Sequence, residues 1–176
     1  MVKHSEILGI NHLGLTVPDV DQATQFLKAA FGAKLAYASL TQQDSPRQGM
    51  EVERQLGLAP GSKIVRQQMV VIGKGPSLEL FEIQTDQQQS PATLGDQGIT
   101  HFSIFVNDLN TALDKAVAAG ATALSEIHGN SKYEDTPGNG SVYVKAPWGT
   151  LIELQTIPNG YYYPSNSEAK LWLPTD

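Results

Sequence analysis

Two histidines and two glutamates stand at matching places in this chain: His12 in "GINHLGLTV", Glu79 in "GPSLELFE", His101 in "GITHFSIFV" and Glu153 in "GTLIELQT". Imidazole nitrogen and carboxylate oxygen together suit a divalent ion such as Zn, Ni, Co, Mn or Fe(II), and four such donors leave two positions of an octahedron open. The chain has no cysteine, so thiolate ligation and disulfides play no part. Taken singly, a strand histidine is more often a structural residue than a ligand, and a strand glutamate more often faces water. Recurrence as a set separates these four from that background.

The elements that must position them repeat as well, and self-similarity at a fixed spacing is a strong guide to architecture. At an offset of 89, His12 meets His101, Val17 meets Val106, Asp19 meets Asp108 and Ala23 meets Ala112. At an offset of 74, Gly75 meets Gly149, Glu79 meets Glu153 and Leu80 meets Leu154. "INHLGLTV" alternates, with Leu13, Leu15 and Val17 on one face and His12, Gly14 and Thr16 on the other, the period of a half-buried strand. "PDVDQATQFLKAAFG" then predicts a helix with Asp19 or Asp21 at its start, a stripe through Ala23, Phe26, Leu27 and Ala30, and Gly32 as its stop. "NDLNTALDKAVAAG" repeats the design with Asp108 or Asn110, Leu113, Val117 and Gly120. "KIVRQQMVVIG" with "SLELFEIQ", and "SVYVKA" with "TLIELQT", read as strand hairpins.

Strand alternation turns this pattern into a statement about chemistry. Glu79 lies between Leu78 and Leu80, and Glu153 between Ile152 and Leu154, so both carboxylates point away from the helix-covered side, as do both histidines. If the strands curl toward one another, all four side chains converge, and the small neighbours Gly14 and Ser103 leave room above an ion. The expected fold is α+β, built as two tandem strand-helix-strands modules.

Composition narrows the partners. The chain has 176 residues, 40 % apolar and 17 % charged, the profile of a globular protein. A net charge of −6, with 12 unclustered Lys and Arg, argues against a nucleic-acid surface and favours a small molecule. Nothing in the sequence spans a membrane, and "MVKHSEILGI" lacks the apolar run of a secretory signal, so the expected location is cytoplasmic.

The first module carries 15 more residues between its histidine and glutamate than the second. They fall at 39–62, where "RQGMEVERQLGL" predicts a short helix and a candidate lid. Arg47, Arg54, Lys63 and Arg66 either hold an anionic substrate near that lid or form a solvated face. "TDQQQSPATLGDQ" joins the modules, and "PNGYYYPSNSEAKLWLPTD" is a tail outside the repeat, its tyrosines either packing the tail or closing a pocket. His4 and His128 are expected to be solvated.

Through "INHLGLTV", "SLELFEI", "ITHFSIFV" and "VYVKAPWGTLIELQT", from Ile7 to Thr156, the chain resembles the vicinal oxygen chelate superfamily, which includes glyoxalase I, methylmalonyl-CoA epimerase, extradiol dioxygenases and the fosfomycin and bleomycin resistance proteins. The resemblance implies one domain over 1–176: paired βαβββ modules, about 6–86 and 98–157, forming a curled mixed sheet around a metal-binding cup, with the tail at 158–176. It implies His12, Glu79, His101 and Glu153 as ligands of a divalent ion and chelation of vicinal oxygens of a small carbonyl substrate. Proton transfer would follow, by Glu153 or Glu79, in an isomerase, epimerase or glyoxalase-like lyase. Thr16 and Ile83 stand where glyoxalase I proteins carry an Arg and an Asn for glutathione, which argues against a glutathione hemithioacetal. A second implied reading is an Fe(II) extradiol dioxygenase, in which Tyr143, ten residues before Glu153, touches the catechol; Glu79 would then fill a position that oxygen needs. A third is a metal-free binding module of the resistance kind. A homodimer is compatible with the family, although one chain already supplies both modules.

Overall fold

The structure is a computed structural model that describes residues 7–174, so His4 lies outside the described residues. Among the described residues nine strands and three helices follow one another as β1 (His12–Thr16), α1 (Val20–Phe31), β2 (Lys34–Leu40), β3 (Arg47–Gln48), α2 (Met50–Leu56), β4 (Lys63–Val71), β5 (Ser77–Gln84), β6 (His101–Phe105), α3 (Leu109–Ala118), β7 (Thr122–Ala123), β8 (Gly140–Lys145) and β9 (Leu151–Thr156). The strands form two open mixed sheets, and the class is α+β as expected. Both sheets obey one plan: β1 runs parallel to β5 and β4 antiparallel to it, just as β6 runs parallel to β9 and β8 antiparallel to it. The insertion adds β3 and α2 to the first sheet's edge, β3 pairing with β4.

Two compact units emerge. One comprises residues up to Val20 together with Lys34–Asp86; the other comprises Asp21–Ala33 with the chain from Gln87 onward. Most of α1 therefore belongs to the second unit, where Phe26 meets Trp148 edge to face at 5.3 Å.

In the first unit, Val70, Leu78 and Leu80 are buried on one face of the sheet. At its edge Arg66 is buried against Glu82 and Asp19, the latter at 3.3 Å, and Glu82 also accepts the Val20 N–H at 3.2 Å, the first amide of α1. Burial works against the charge of Arg66, and the two carboxylates outweigh it, so the guanidinium stays protonated. Arg66 is thus a structural ion-pair residue, neither a substrate anchor nor part of a solvated face.

In the second unit, Val142, Val144, Ile152 and Leu154 are buried together. The α1 stripe of Ala23, Phe26, Leu27 and Ala30 is buried as its spacing predicts. The helix ends at Gly32, whose φ of +66° lets its N–H reach Lys28 O while Ala33 N reaches Leu27 O, a Schellman close. On α3 the buried face is Leu109 and Ala116, with Val117 half exposed; the expected stripe through Leu113 and Val117 is one edge of the true one. Asp108 caps this helix through the Thr111 N–H at 2.7 Å, and hydrogen bonds from Thr111, its hydroxyl first and then its N–H, hold the carboxyl below the usual range. Among the described residues no helix is long and apolar enough to cross a membrane.

Candidate metal centre and its surroundings

Each sheet buries one face and leaves the other open, and the predicted chemistry lies on the open faces. In the first unit, strand register sets Gly14 beside Glu79 on one side and Met69 on the other, with His12 one pair away beside Ser77. His12 Nε2 lies 3.1 Å from Glu79 Oε2. The imidazole's other nitrogen, Nδ1, is 2.7 Å from Asn11 Oδ1, an acceptor that fixes the ring and leaves Nε2 directed at the carboxylate. Glu79 Oε1 is taken as well: Gln67 Nε2 donates to it at 2.5 Å, and Arg47 donates to Gln67 Oε1 at 3.5 Å. Both oxygens of Glu79 therefore have fixed partners.

The second unit repeats the pair with different supports. Register sets Ser103 and Tyr143 on either side of Glu153, and His101 beside Leu151. His101 Nε2 stands 4.0 Å from Glu153 Oε2, a looser pair, and Nδ1 lies 3.1 Å from Thr100 Oγ1. Tyr143 packs edge to face on His101, with ring centroids 5.4 Å apart. Its hydroxyl is hydrogen-bonded to Glu153; burial first, and then the charge of Glu153, raise its pKa above the usual tyrosine value, so it remains a phenol. The four predicted ligands are thus brought together two by two, and among the described residues no cluster of three or more His, Asp or Glu is gathered as a metal site.

The open face of the second sheet is bounded at one end by the tail. Tyr161 OH donates to Gln155 Oε1 at 3.0 Å, Trp172 lies 6.0 Å from Phe105, and Tyr162 N bonds Tyr133 O at 2.8 Å. Tyr161 is pushed up to about 12, first by burial and then by the negative charge of Glu134. At the other end lies a cavity of about 450 Å³, lined by Tyr143, Lys145 and the segment joining the repeats. His128 is exposed, as expected.

Gln67 and Lys145 are the side chains of this region without a counterpart in the sequence pattern, whereas Tyr161 is one of the tail tyrosines expected either to pack the tail or to close a pocket. Gln67 had one readable signal: on β4 it alternates with Gln68 and falls on the Glu79 side. The donor set fits a divalent ion by its chemistry, since each unit supplies one ring-fixed imidazole nitrogen and one carboxylate on the same open face.

Comparison with known proteins gives the family and the fold. The family model described as Glyoxalase/Bleomycin resistance protein/Dioxygenase superfamily matches residues 11–136. A 2-epi-5-epi-valiolone epimerase from Actinomyces sp is 30 % identical over 171 residues, which cover 95 % of this chain and 89 % of that protein. Among solved structures, a glyoxalase family protein from Bacillus cereus superposes with a TM-score of 0.67 at 18 % identity, covering 93 % of this chain and 99 % of that one. A fosfomycin resistance protein from Listeria monocytogenes superposes with a TM-score of 0.56, also at 18 % identity, covering 86 % and 94 %. By the extent of the family match and of the epimerase alignment, the chain belongs to the Glyoxalase/Bleomycin resistance protein/Dioxygenase superfamily.

Proposed function

We propose that this protein is a metal-dependent epimerase that inverts a stereocentre next to a carbonyl group in a small molecule. The observation that carries the reading is the recurrence, in both units, of a histidine Nε2 set against a glutamate on the sheet's open face. An epimerase aligned over nearly the whole chain supports the same reaction class.

His12, Glu79, His101 and Glu153 would hold the divalent ion between them, and when bound it supplies a Lewis acid that draws charge onto the carbonyl oxygen. The protein's own groups move the proton. Glu153 is the better base because it lies 4.0 Å from its histidine and meets a neutral phenol, whereas Glu79 is held at both oxygens. A carboxylate at Glu153 takes the α-proton as the C–H electron pair moves into the enolate, and a proton returned to the opposite face completes the inversion. Tyr143, protonated and hydrogen-bonded to Glu153, orients that carboxylate. Glu79, held at both oxygens, serves as a ligand, and the proton returned to the opposite face comes from solvent water.

The test uses the relative's named substrate as a probe. Purified protein is assayed for metal by elemental analysis and then incubated with 2-epi-5-epi-valiolone in D2O. About one ion per chain, lost in a His12→Ala, His101→Ala variant, is expected, with one solvent deuterium appearing at an inverted carbon. No deuterium uptake with any of Zn, Ni, Co, Mn or Fe(II) would count against proton transfer on this substrate. A yellow product from an iron-loaded sample given catechol and oxygen would replace the epimerase with the ring-cleaving reading.

A further inference from the structure

The cavity beside Tyr143 is not demanded by the repeat. Its walls are Pro91 and Leu94 from the joining segment, Leu124 from the residues after β7, and Leu151 from β9, all apolar. One charged residue lines it, Lys145. Lys145 has no ion-pair partner among the described residues. At the offset of 74 that relates the two hairpins, its counterpart is Val71 and that of Tyr143 is Met69, so neither side chain is required to build the sheet.

The wall is pre-formed. Asp96 accepts from the Thr93 N–H at 2.7 Å and from its hydroxyl at 2.8 Å, folding the turn that presents Leu94. Pro91 lies against Gly149, where a Cβ would come within 3.0 Å of the proline ring and where φ is +101°. Glycine at that turn is what lets the segment close down on the sheet.

We propose that this cavity binds the remote end of the substrate, an apolar body carrying a single anionic group such as a carboxylate or phosphate that pairs with Lys145. The placement relative to the chemistry rests on the epimerase reading. Lys145 is opposite Leu151 and Tyr143 opposite Glu153, so the two residues stand two positions apart along one strand and on the same face, their Cα atoms roughly 7 Å apart. A six-membered ring bearing an acidic substituent spans that interval. Apolar walls lower the local dielectric, which strengthens a single ion pair while penalising a second unpaired charge. A cavity of 450 Å³ lies within the usual range for small-molecule sites.

Binding is tested without metal or turnover, using two fluorescent probes that share an aromatic skeleton: 8-anilinonaphthalene-1-sulfonate and its uncharged counterpart, N-phenyl-1-naphthylamine. The full chain is expected to bind the sulfonate with one probe per chain and at least tenfold more tightly than the neutral amine. Lys145→Met should bring the two affinities together, Lys145→Arg should keep them apart, and Leu124→Trp, at a half-exposed wall position that tolerates a larger ring, should weaken both. Equal affinity for the two probes in the parent, or a sulfonate affinity unchanged by Lys145→Met, overturns the proposal. Because the readout needs no catalysis, its failure leaves the epimerase reading standing, and failure of the deuterium experiment leaves this one intact.

Discussion

The two histidine–glutamate pairs stand at equivalent points of a repeated hairpin, yet their neighbours differ in kind. Glu79 is clamped, by His12 at 3.1 Å and by the amide of Gln67. Glu153 is held more loosely, 4.0 Å from His101, and its close partner is the phenol of Tyr143, where the first sheet has Met69. Duplication supplied two identical donor pairs, and divergence of the strand beside each glutamate made one rigid and the other adjustable. A rigid carboxylate suits a ligand; an adjustable one with a proton-bearing neighbour suits proton transfer.

The sharpest way to break that comparison is to make the same change on both sides. Glu153→Gln is expected to lower kcat by about 10²- to 10⁴-fold while metal content is retained, and Glu79→Gln to lose the metal first. Steady-state rates beside elemental analysis decide it, and a reversed pattern would exchange the two roles.

A second comparison concerns Asp19 and Asp108, counterparts in the repeat, each at the start of a helix. Asp108 caps α3, whereas Asp19 pairs with Arg66. Removing the guanidinium strands two partly buried carboxylates, so Arg66→Ala should cost about 3 kcal/mol in urea unfolding. The loss from Asp108→Ala should be clearly smaller; equal losses would mean that the ion cluster matters no more than a surface cap.

Next in size is the clamp itself. Gln67→Leu frees one oxygen of Glu79, and a supporting hydrogen bond of this kind is typically worth about 10- to 100-fold in metal affinity. Competition with a chelator measures it. An unchanged affinity would show that His12 alone orients Glu79.

The smallest effect lies in the tail. Tyr161 has a pKa raised to about 12, so folding favours its neutral form. Its contribution is complete below the ordinary tyrosine value near 10 and fades as pH climbs from there through about 12. Absorbance titration near 295 nm should find one late-ionising tyrosine that disappears in Tyr161→Phe.

Much of this arrangement was legible in the chain because two periodicities reinforce each other. Alternation about Leu78 and Leu80 put Glu79 on the open face, and the same pattern at Ile152 and Leu154 did so for Glu153. The helix stripe from Ala23 to Ala30 and the stop at Gly32 followed from spacing and from glycine's access to positive φ. Arg66 was harder: its partners lie 47 and 16 residues away, and a register shift between Ile64 and Arg66 interrupts the alternation that would have shown its face. Lys145 carries no local pattern and Gln67 shows only its side of β4, since their roles arise from what a neighbouring strand or segment sets beside them. The tail has no periodicity, and its grip on Phe105 and Gln155 comes from individual aromatic contacts.

The contact of Pro91 with Gly149 has a consequence for how such a protein changes over generations. A segment between two copies of a duplicated unit is ordinarily a tether, free to drift in sequence and length. Here it is pinned as a wall, and the residues that pin it lie apart from the four proposed metal donors and from both sheet interiors. Substitutions in that stretch can therefore retune which molecules are admitted while fold and reaction stay as they were, and a single methyl group at Gly149 would be enough to lift the wall.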